Sequence, residues 1–166
     1  MSKVYLSVKQ DGAESGLPII IVEIDQNYSV QQILQDCQKY LPYRLVEFKP
    51  NFNSDIVDYL INNGFEVIVN LDDVVDIRKI SRSAKIRLTL DIYADFRGVE
   101  NLAQSDEVKF LLHKEDDIEL LKDILGKTLT RARLFIGVAR CPDAELTKEK
   151  LGELMLANVL PASLEG

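Results

Sequence analysis

Cysteine and histidine, the residues that most often hold structural zinc and iron–sulfur clusters, are scarce in this chain. Its 166 residues include two cysteines, Cys37 and Cys141, and one histidine, His113. Neither cysteine stands in a CxxC or Cys/His pattern, so we expect no structural zinc site. The chain also lacks GxGxxG after its first strand, a P-loop, GxSxG, HExxH and HxE with PCxxC. We therefore predict no metal, no cofactor and no assignable catalytic residue.

Long apolar runs are absent as well. The longest, Leu17 to Val22, is far too short to cross a bilayer, and the chain begins without the pattern of a signal peptide. We expect a cytoplasmic protein without membrane contact. The net charge of −7 repels a phosphate backbone, so nucleic-acid binding is not expected either. The nearest basic cluster is interpreted as a solvated helix end rather than an anion site; it comprises Arg78, Lys79, Arg82, Lys85 and Arg87.

What the sequence does contain is a repeat of apolar strand and amphipathic helix. Lys3 to Val8 and the segment from Pro18 to Val22 read as a strand pair. Later strands are separated by helices, so they must run parallel with right-handed crossovers. The fold class is α/β, with a mostly parallel sheet of about six strands in a single domain over residues 1–166. We expect a partial (βα) barrel, although an open sheet remains the alternative.

The boundaries of these elements follow from capping and turn residues. Ser29 and Ser54 are expected as N-caps, Asn63-Gly64 as a left-handed C-cap, and Gly126 as the end of a helix that starts near Glu115. A short helix is expected from Asp72 or Asp73 to Ile80, and a final one over Thr147 to Val159. The later strands are expected at Arg44–Phe48, Phe65–Val69, Ile86–Ile92, Glu107–Leu112 and Leu134–Val138.

Polar residues just past the strands are the candidate site residues, because the carboxyl ends of parallel strands line the ligand crevice. Asp91 and Asp95 could act as a carboxylate pair, although aspartates in such loops also serve turns. His113 is the only side chain whose ordinary pKa lies near neutrality. Asp72 is first of all a candidate N-cap. The candidate ligand-binding residues are Asp11, Lys49, Asp72, Asp91 and His113.

Three segments of the chain resemble 7-carboxy-7-deazaguanine synthases. Ser7 to Gly12, followed by Gly16 to Val22, is similar to that family's opening Ser-Ile-Gln-Gly-Glu-Gly and the Gly-x-Pro before its first barrel strand. Glu107 to Leu112 resembles its late Glu-Ile-Lys-Phe strand, and Asn63 to Val69 stands where the family has Gly-x-x-Val-x-x-Glu-Thr. The resemblance implies a radical-SAM-like partial (βα) barrel.

The departures from that family fall on its cofactor site. Its first strand leads into a CxxxCxxC loop whose three thiolates hold a [4Fe–4S] cluster, whereas here Glu23 to Ser29 leads directly into a helix without cysteine. The family's Gly-Gly-Glu-Pro is replaced by Glu47 to Pro50, with Lys49 in the position of its Glu. Asp11 stands where the opening motif has Glu. The resemblance therefore implies the fold without the family's reaction.

Two functions follow from these observations. The first is a non-catalytic radical-SAM-like domain without an iron–sulfur cluster, which binds a protein partner or a small polar ligand at the strand ends. The alternative is a small metal-assisted or acid/base enzyme that uses Asp91, Asp95 and His113 on a similar scaffold. The sequence leaves the identity of the partner and the formation of a homo-oligomer open.

Overall fold

The computed structural model describes most of the chain as two compact units. The described residues are 2–10, 12–49, 52–72, 74, 77, 80, 83–127, 130–139, 149 and, for the backbone, 163–165. The first unit comprises Met1–Asn70 and Arg78–Ile86, and the second comprises Leu71–Ile77 and Arg87–Gly166.

The first unit is built on a four-stranded ladder. β1 (Lys3–Val8) pairs antiparallel with β2 (Pro18–Glu23), and β2, β3 (Leu45–Phe48) and β4 (Glu66–Leu71) pair parallel in that order. Helix α1 (Val30–Gln38) connects β2 to β3, and α2 (Ser54–Asn62) connects β3 to β4. The β1–β2 pair and the following helical crossovers confirm the sequence interpretation of this region.

Both faces of the parallel strands in the first unit are buried. Ile19, Ile21 and Ile68 form a buried apolar cluster on one face. Residues that alternate with these along the strands, such as Val22 and Phe48, are also buried. Near-continuous apolar strands of this kind are typical of a parallel sheet covered on both sides. The helices contribute one apolar stripe each, at the three- and four-residue spacing of an amphipathic helix: Ile33, Leu34 and Cys37 from α1, and Ile56, Val57 and Leu60 from α2.

The second unit repeats the parallel arrangement. β5 (Lys85–Asp91) pairs through Arg87–Asp91 with β6 (Glu107–Leu112), which pairs with β7 (Arg133–Ala139), and β7 pairs with β8 (Ser163–Glu165). All of these pairs are parallel. A 3₁₀ turn over Val99–Asn101 interrupts the loop after β5, and helix α3 (Asp117–Lys127) follows β6 and packs on it.

The α/β class and the mostly parallel pairing agree with the prediction from the sequence. The structure contains the seven strands expected from the sequence, β1 to β7, and the three-residue β8 was not expected. The predicted helix Asp72–Ile80 lies largely outside the described residues, as does the helix Thr147–Val159 apart from Glu149. The single-domain assignment stays a prediction. Within the described part of the chain, no helix combines the length and the apolar character needed to cross a membrane.

Local capping confirms two of the expected boundaries and corrects two others. The Ser29 side chain accepts a hydrogen bond from the Gln32 N–H, and Gly64, just past α2, has a φ of 90°. The cap of α2 is Asn53 rather than Ser54, because the Asn53 side chain accepts from the Asp55 N–H and Ser54 is already helical. Helix α3 continues through Gly126 to Lys127, so the glycine does not end it.

This correction predicts which of two neighbouring residues stabilises α2. Asn53→Ala removes the acceptor of the Asp55 N–H, 2.9 Å away, and we expect the free energy of unfolding to fall by about 1 kcal/mol. Ser54→Ala, the matched control, should change it by less than about 0.5 kcal/mol. Urea denaturation of the two variants is the measurement, and a larger loss in Ser54→Ala would contradict the assignment.

Candidate functional site

Asp91 and His113 come together at the carboxyl ends of two neighbouring strands in the second unit. Asp91 is the last residue of β5 and pairs in register with Leu111 of β6, while His113 follows β6 directly. As a result, the Asp91 Oδ2 atom forms a hydrogen bond with the His113 Nε2 atom. Both side chains are about two-fifths exposed, at 43% and 40%. The pair is thus preformed and accessible to a molecule in solution.

The Asp91 carboxyl group is held in its charged form. Partial burial raises its pKa, but the Tyr93 N–H donates to the Oδ1 atom over 3.0 Å and His113 pairs with the other oxygen. These contacts outweigh burial, so the pKa of Asp91 lies below its ordinary value. An ionised carboxylate can only accept hydrogen bonds, so the His113 Nε2 atom must be the donor. The second ring nitrogen, Nδ1, forms no hydrogen bond with another described residue.

A second carboxylate, that of Asp117, organises the residues around this pair. It is 2% exposed and lies at the start of α3. Its Oδ2 atom accepts the backbone N–H groups of His113 and Lys114 over 2.8 and 3.0 Å, and its Oδ1 atom accepts the Tyr93 hydroxyl. One buried side chain therefore fixes the backbone at His113 and the position of Tyr93.

The Tyr93 ring completes the site. It stacks on the His113 imidazole with ring centroids 6.0 Å apart and an angle of 10° between the planes. The hydrogen bond to Asp117 and the charges of nearby carboxylates raise the pKa of Tyr93 to about 12, so its hydroxyl remains protonated. We call Asp91, Tyr93, His113 and Asp117 the strand-end cluster.

Sequence analysis found only half of this cluster. Asp117 falls within the helix that the sequence predicts to start near Glu115, and neither it nor Tyr93 is among the predicted ligand residues. The available signal was the spacing of Asp117 four residues after His113, which allows an aspartate at a helix start to accept backbone N–H groups that precede it. The contact of Tyr93 spans 24 positions, a separation that local patterns do not reveal.

Asp95 does not join the cluster in this structure. Its carboxylate forms an exposed bidentate pair with Arg97, with an Nη2–Oδ2 distance of 2.7 Å. The hydrogen bonds from Arg97 lower the pKa of Asp95 to about 2. Asp72 is exposed at a bend after β4. Asp11 and Cys141 lie outside the described residues.

Lys49 belongs to a separate polar group in the first unit. The buried Glu47 carboxylate lies 3.2 Å from the Lys9 Nζ atom, and its Oε1 atom accepts the Asn70 amide over 2.8 Å. Lys49 is half exposed, with its Nζ atom 3.8 Å from Glu47 Oε1. Lys9 and Glu47 are 2% and 1% exposed, which makes this a buried ion pair with a hydrogen bond from Asn70.

The described part of the basic cluster is also paired. Lys85 contacts Glu14 in the first unit, and the Arg87 Nε atom lies 2.8 Å from Glu107 Oε2 in the second. Arg78, Lys79 and Arg82 lie outside the described residues. Within the part of the chain that the structure describes, no group of three or more His, Cys, Asp or Glu residues is arranged to hold a metal ion.

The fold of this chain is similar to that of a solved structure. No protein-family model matches the chain, and comparison with curated proteins finds no match. The crystal structure of QueE from Escherichia coli matches 95% of this chain and 90% of that chain, with a TM-score of 0.58 and 13% identity. QueE is a 7-carboxy-7-deazaguanine synthase. The match shows a QueE-like α/β fold; at this identity it says nothing about the reaction.

The contacts of Asp117 predict a coupled change in Tyr93. Asp117→Asn removes the negative charge and replaces one acceptor oxygen with an N–H₂ donor. The amide oxygen can then accept from the backbone N–H groups of His113 and Lys114 or from the Tyr93 hydroxyl, but not from both. We expect the pKa of Tyr93 to fall from about 12 toward the ordinary value of 10.0. We also expect a loss of about 1–3 kcal/mol in the free energy of unfolding.

Carbon-13 NMR of ring-labelled tyrosine measures the pKa, and urea denaturation measures the stability. Asp116→Asn is the matched control, since Asp116 is exposed and its charge is the smallest of the influences on Tyr93. A Tyr93 pKa that is equally low in the two variants would contradict the dominant role of Asp117.

Proposed function

We propose that this chain is a non-catalytic domain of radical-SAM-like fold that binds a small polar ligand at the strand-end cluster. The observation that carries the proposal is the contact between Asp91 and His113, two side chains that are accessible yet held in place. The backbone N–H of Tyr93 fixes Asp91, and the Asp117 carboxylate fixes the backbone of His113. Such preorganisation reduces the entropy that binding costs.

The chemistry of the cluster favours a small ligand over a protein partner. Asp91 supplies acceptor oxygens, the His113 Nδ1 atom can donate or accept according to its protonation, and Tyr93 presents a ring that is 58% exposed. These groups are a few polar atoms directed at one place, which is the usual content of a ligand site. A partner protein would be expected to use a broader apolar patch.

The proposal includes a partial (βα) barrel that has lost the iron–sulfur cluster of its radical-SAM relatives. A [4Fe–4S] cluster of that kind needs three thiolates, and the sequence contains two cysteines. Cys37 is fully buried in α1, and this burial raises the pKa of its thiol to about 12. A protonated thiol among apolar residues serves packing, so Cys37 does not suit a cluster ligand.

The second candidate function is an acid/base enzyme. It is favoured by the orientation of His113, because Asp91 holds one ring nitrogen and leaves the other able to accept or donate a proton. The enzyme expected from the sequence also uses Asp95, whose carboxylate is paired with Arg97. Among the described residues, His113 is therefore the one candidate for proton transfer at this site, and Asp91 serves to orient it. An enzyme with a single proton-transfer group is the weaker of the two hypotheses.

Ligand binding can be tested on the single imidazole of the chain. We expect titration of ¹⁵N-labelled protein with inorganic phosphate, succinate and ethanolamine to shift the His113 resonances with at least one probe. Asp91→Asn, followed by the same His113 resonances, and His113→Gln, followed by the backbone amide resonances of Tyr93 and Lys114, should each weaken that binding about tenfold, which corresponds to about 1.4 kcal/mol. Asp95→Asn is the matched control, because it removes a neighbouring exposed carboxylate that lies outside the cluster.

Three results would count against this proposal. They are the absence of any His113 shift, equal binding by the wild type and the two cluster variants, and an equal loss in Asp95→Asn. The spectrum of the probe separates the two candidate functions. A binding domain returns the probe unchanged after prolonged incubation, whereas an enzyme converts it.

The proposed loss of the iron–sulfur cluster can be tested separately. Anaerobic reconstitution with iron and sulfide should leave the wild-type chain without the brown absorbance of a [4Fe–4S] protein, because too few thiolates are present. Cys37→Ala should leave the spectrum unchanged. A stoichiometric cluster in the wild type that is lost in Cys37→Ala would contradict the proposal and would show that two chains pool their thiols.

A further inference from the structure

A cavity of about 470 Å³ lies in the first unit, between the start of β1 and the end of α1. The lining residues that determine its chemistry come from both sides: Lys3, Val4 and Tyr5 from β1, and Asp36, Lys39 and Tyr40 from the end of α1 and the residues after it. The volume is in the range of small-molecule sites. Because a water molecule takes up about 30 Å³ in the liquid, the cavity is large enough for an organic molecule rather than a single ion.

The charged groups of this lining leave one cation unpaired. The Asp36 Oδ1 atom accepts the Lys39 Nζ atom over 3.0 Å and the Gln32 side-chain amide over 2.9 Å. The hydrogen bond from Lys39 holds the pKa of Asp36 below its ordinary value, so this is a pair of charged groups. Lys3 is exposed and forms no ion pair with any residue that the structure describes. The lining therefore carries one surplus positive charge, in a chain whose net charge is −7.

The backbone of Val4 adds a hydrogen-bond donor to this cation. The Lys9 N–H donates to the Leu17 carbonyl over 2.9 Å, so Lys9 and every second residue before it in β1 direct their backbone groups toward β2. In an antiparallel pair the intervening residues direct theirs the other way. On that outer side the Val4 carbonyl accepts the Tyr40 hydroxyl over 3.4 Å. The Val4 N–H lies on the same side and has no partner among the described residues.

Two tyrosine rings form the less polar part of the cavity. Tyr5 is 40% exposed, and Tyr40 is half-buried and held by its hydrogen bond to Val4. Aromatic side chains offer a large flat surface to another ring, and they order it at little cost in conformational freedom. The cavity thus combines a cation and a backbone donor with two aromatic surfaces.

We propose that this cavity binds a small aromatic carboxylate. The carboxylate group accepts from the Lys3 ammonium group and the Val4 N–H, and such charge-assisted hydrogen bonds are the stronger kind. The ring of the ligand packs against Tyr5 and Tyr40. A carboxylate matches the single surplus charge, whereas a phosphate monoester carries about −1.5 to −2 at neutral pH. The inference is independent of the ligand-binding proposal above, since no residue of the strand-end cluster lines this cavity.

Titration of the full ¹⁵N-labelled chain with benzoate tests the proposal. We expect saturable shifts of the Tyr5 and Tyr40 backbone amides, with a dissociation constant of about 1 mM. Lys3→Gln should weaken the binding about tenfold, because it removes the surplus charge. Lys127→Gln is the matched control: Lys127 is also an exposed lysine, but it lies on α3 and pairs with Asp123, so this variant should bind benzoate like the wild type.

Two proline variants test the backbone donor. Proline has no N–H and is tolerated in an outer strand where that group points away from the neighbouring strand. Among the described residues β1 pairs with β2 alone. Val4→Pro should therefore weaken benzoate binding about tenfold. Leu6→Pro, the matched control, removes an outward N–H of a residue that does not line the cavity and should leave the binding unchanged.

Ligand analogues test the class of ligand. Benzamide is neutral and nearly identical in shape, and it should bind about tenfold more weakly than benzoate. Inorganic phosphate, which has no ring, should also bind more weakly. The absence of saturable shifts at Tyr5 and Tyr40, equal binding of benzoate and benzamide, or tighter binding of phosphate would each overturn the proposal. Equal losses in Lys3→Gln and Lys127→Gln would do so too, and this pair decides the outcome where a proline variant fails to fold.

Discussion

Parallel pairing of β5 with β6 is the constraint on which the candidate site depends. Parallel strands need a crossover between them, and their carboxyl ends consequently lie at the same edge of the sheet. Asp91 ends β5 in register with Leu111, so the residue that follows β6 is brought within hydrogen-bond reach. The same pairing buries the apolar residues of both strands. One rule of chain geometry therefore produces the core of the second unit and the meeting of Asp91 with His113.

The Asp117 carboxylate fixes the residues around the contact between Asp91 and His113. A buried carboxylate is costly unless its oxygens are hydrogen-bonded, and this one accepts two backbone N–H groups and a hydroxyl. These bonds hold the turn between β6 and α3 and place the Tyr93 ring on the imidazole. The first unit also contains a buried carboxylate, that of Glu47. It forms an ion pair with the ammonium group of Lys9 and accepts a hydrogen bond from the amide of Asn70. These contacts satisfy the buried carboxylate, and Lys49 lies beside it as a half-exposed cation.

Much of the fold was predictable because it depends on local patterns. Apolar runs and helical periodicity located the strands and the three helices, and Ser29 was correctly identified as a cap. Where two capping residues stood side by side, as at Asn53 and Ser54, side-chain geometry decided between them and the pattern could not. Gly126 failed as a helix end because its place in α3 costs only about 1 kcal/mol relative to alanine, which the neighbouring turns can offset.

The site was predictable only in part, and for a physical reason. Position after a strand was enough to select Asp91 and His113, whereas Tyr93 and Asp117 join them through contacts made in three dimensions. Asp95 is the opposite case, because the sequence selects it as a site residue and the structure does not place it in the site. Its carboxylate forms an ion pair with Arg97, two residues along the chain. The resemblance to 7-carboxy-7-deazaguanine synthases agrees with the QueE-like fold, at 13% identity. The fold alone does not determine the chemistry, because the residues at the strand ends decide it.

The central claim is that Asp91 and Asp117 hold a single, oriented imidazole at the strand ends. Because the chain contains one histidine, a long-range ¹H–¹⁵N spectrum of the imidazole ring reports on His113 without further assignment. The account predicts that Nε2 carries the hydrogen that the Asp91 carboxylate accepts in the wild type, and that Asp91→Ala, which removes this acceptor, lets the ring sample both tautomers. Identical ring spectra in the two proteins, or a wild-type spectrum showing the averaged tautomers of a free histidine, would contradict it.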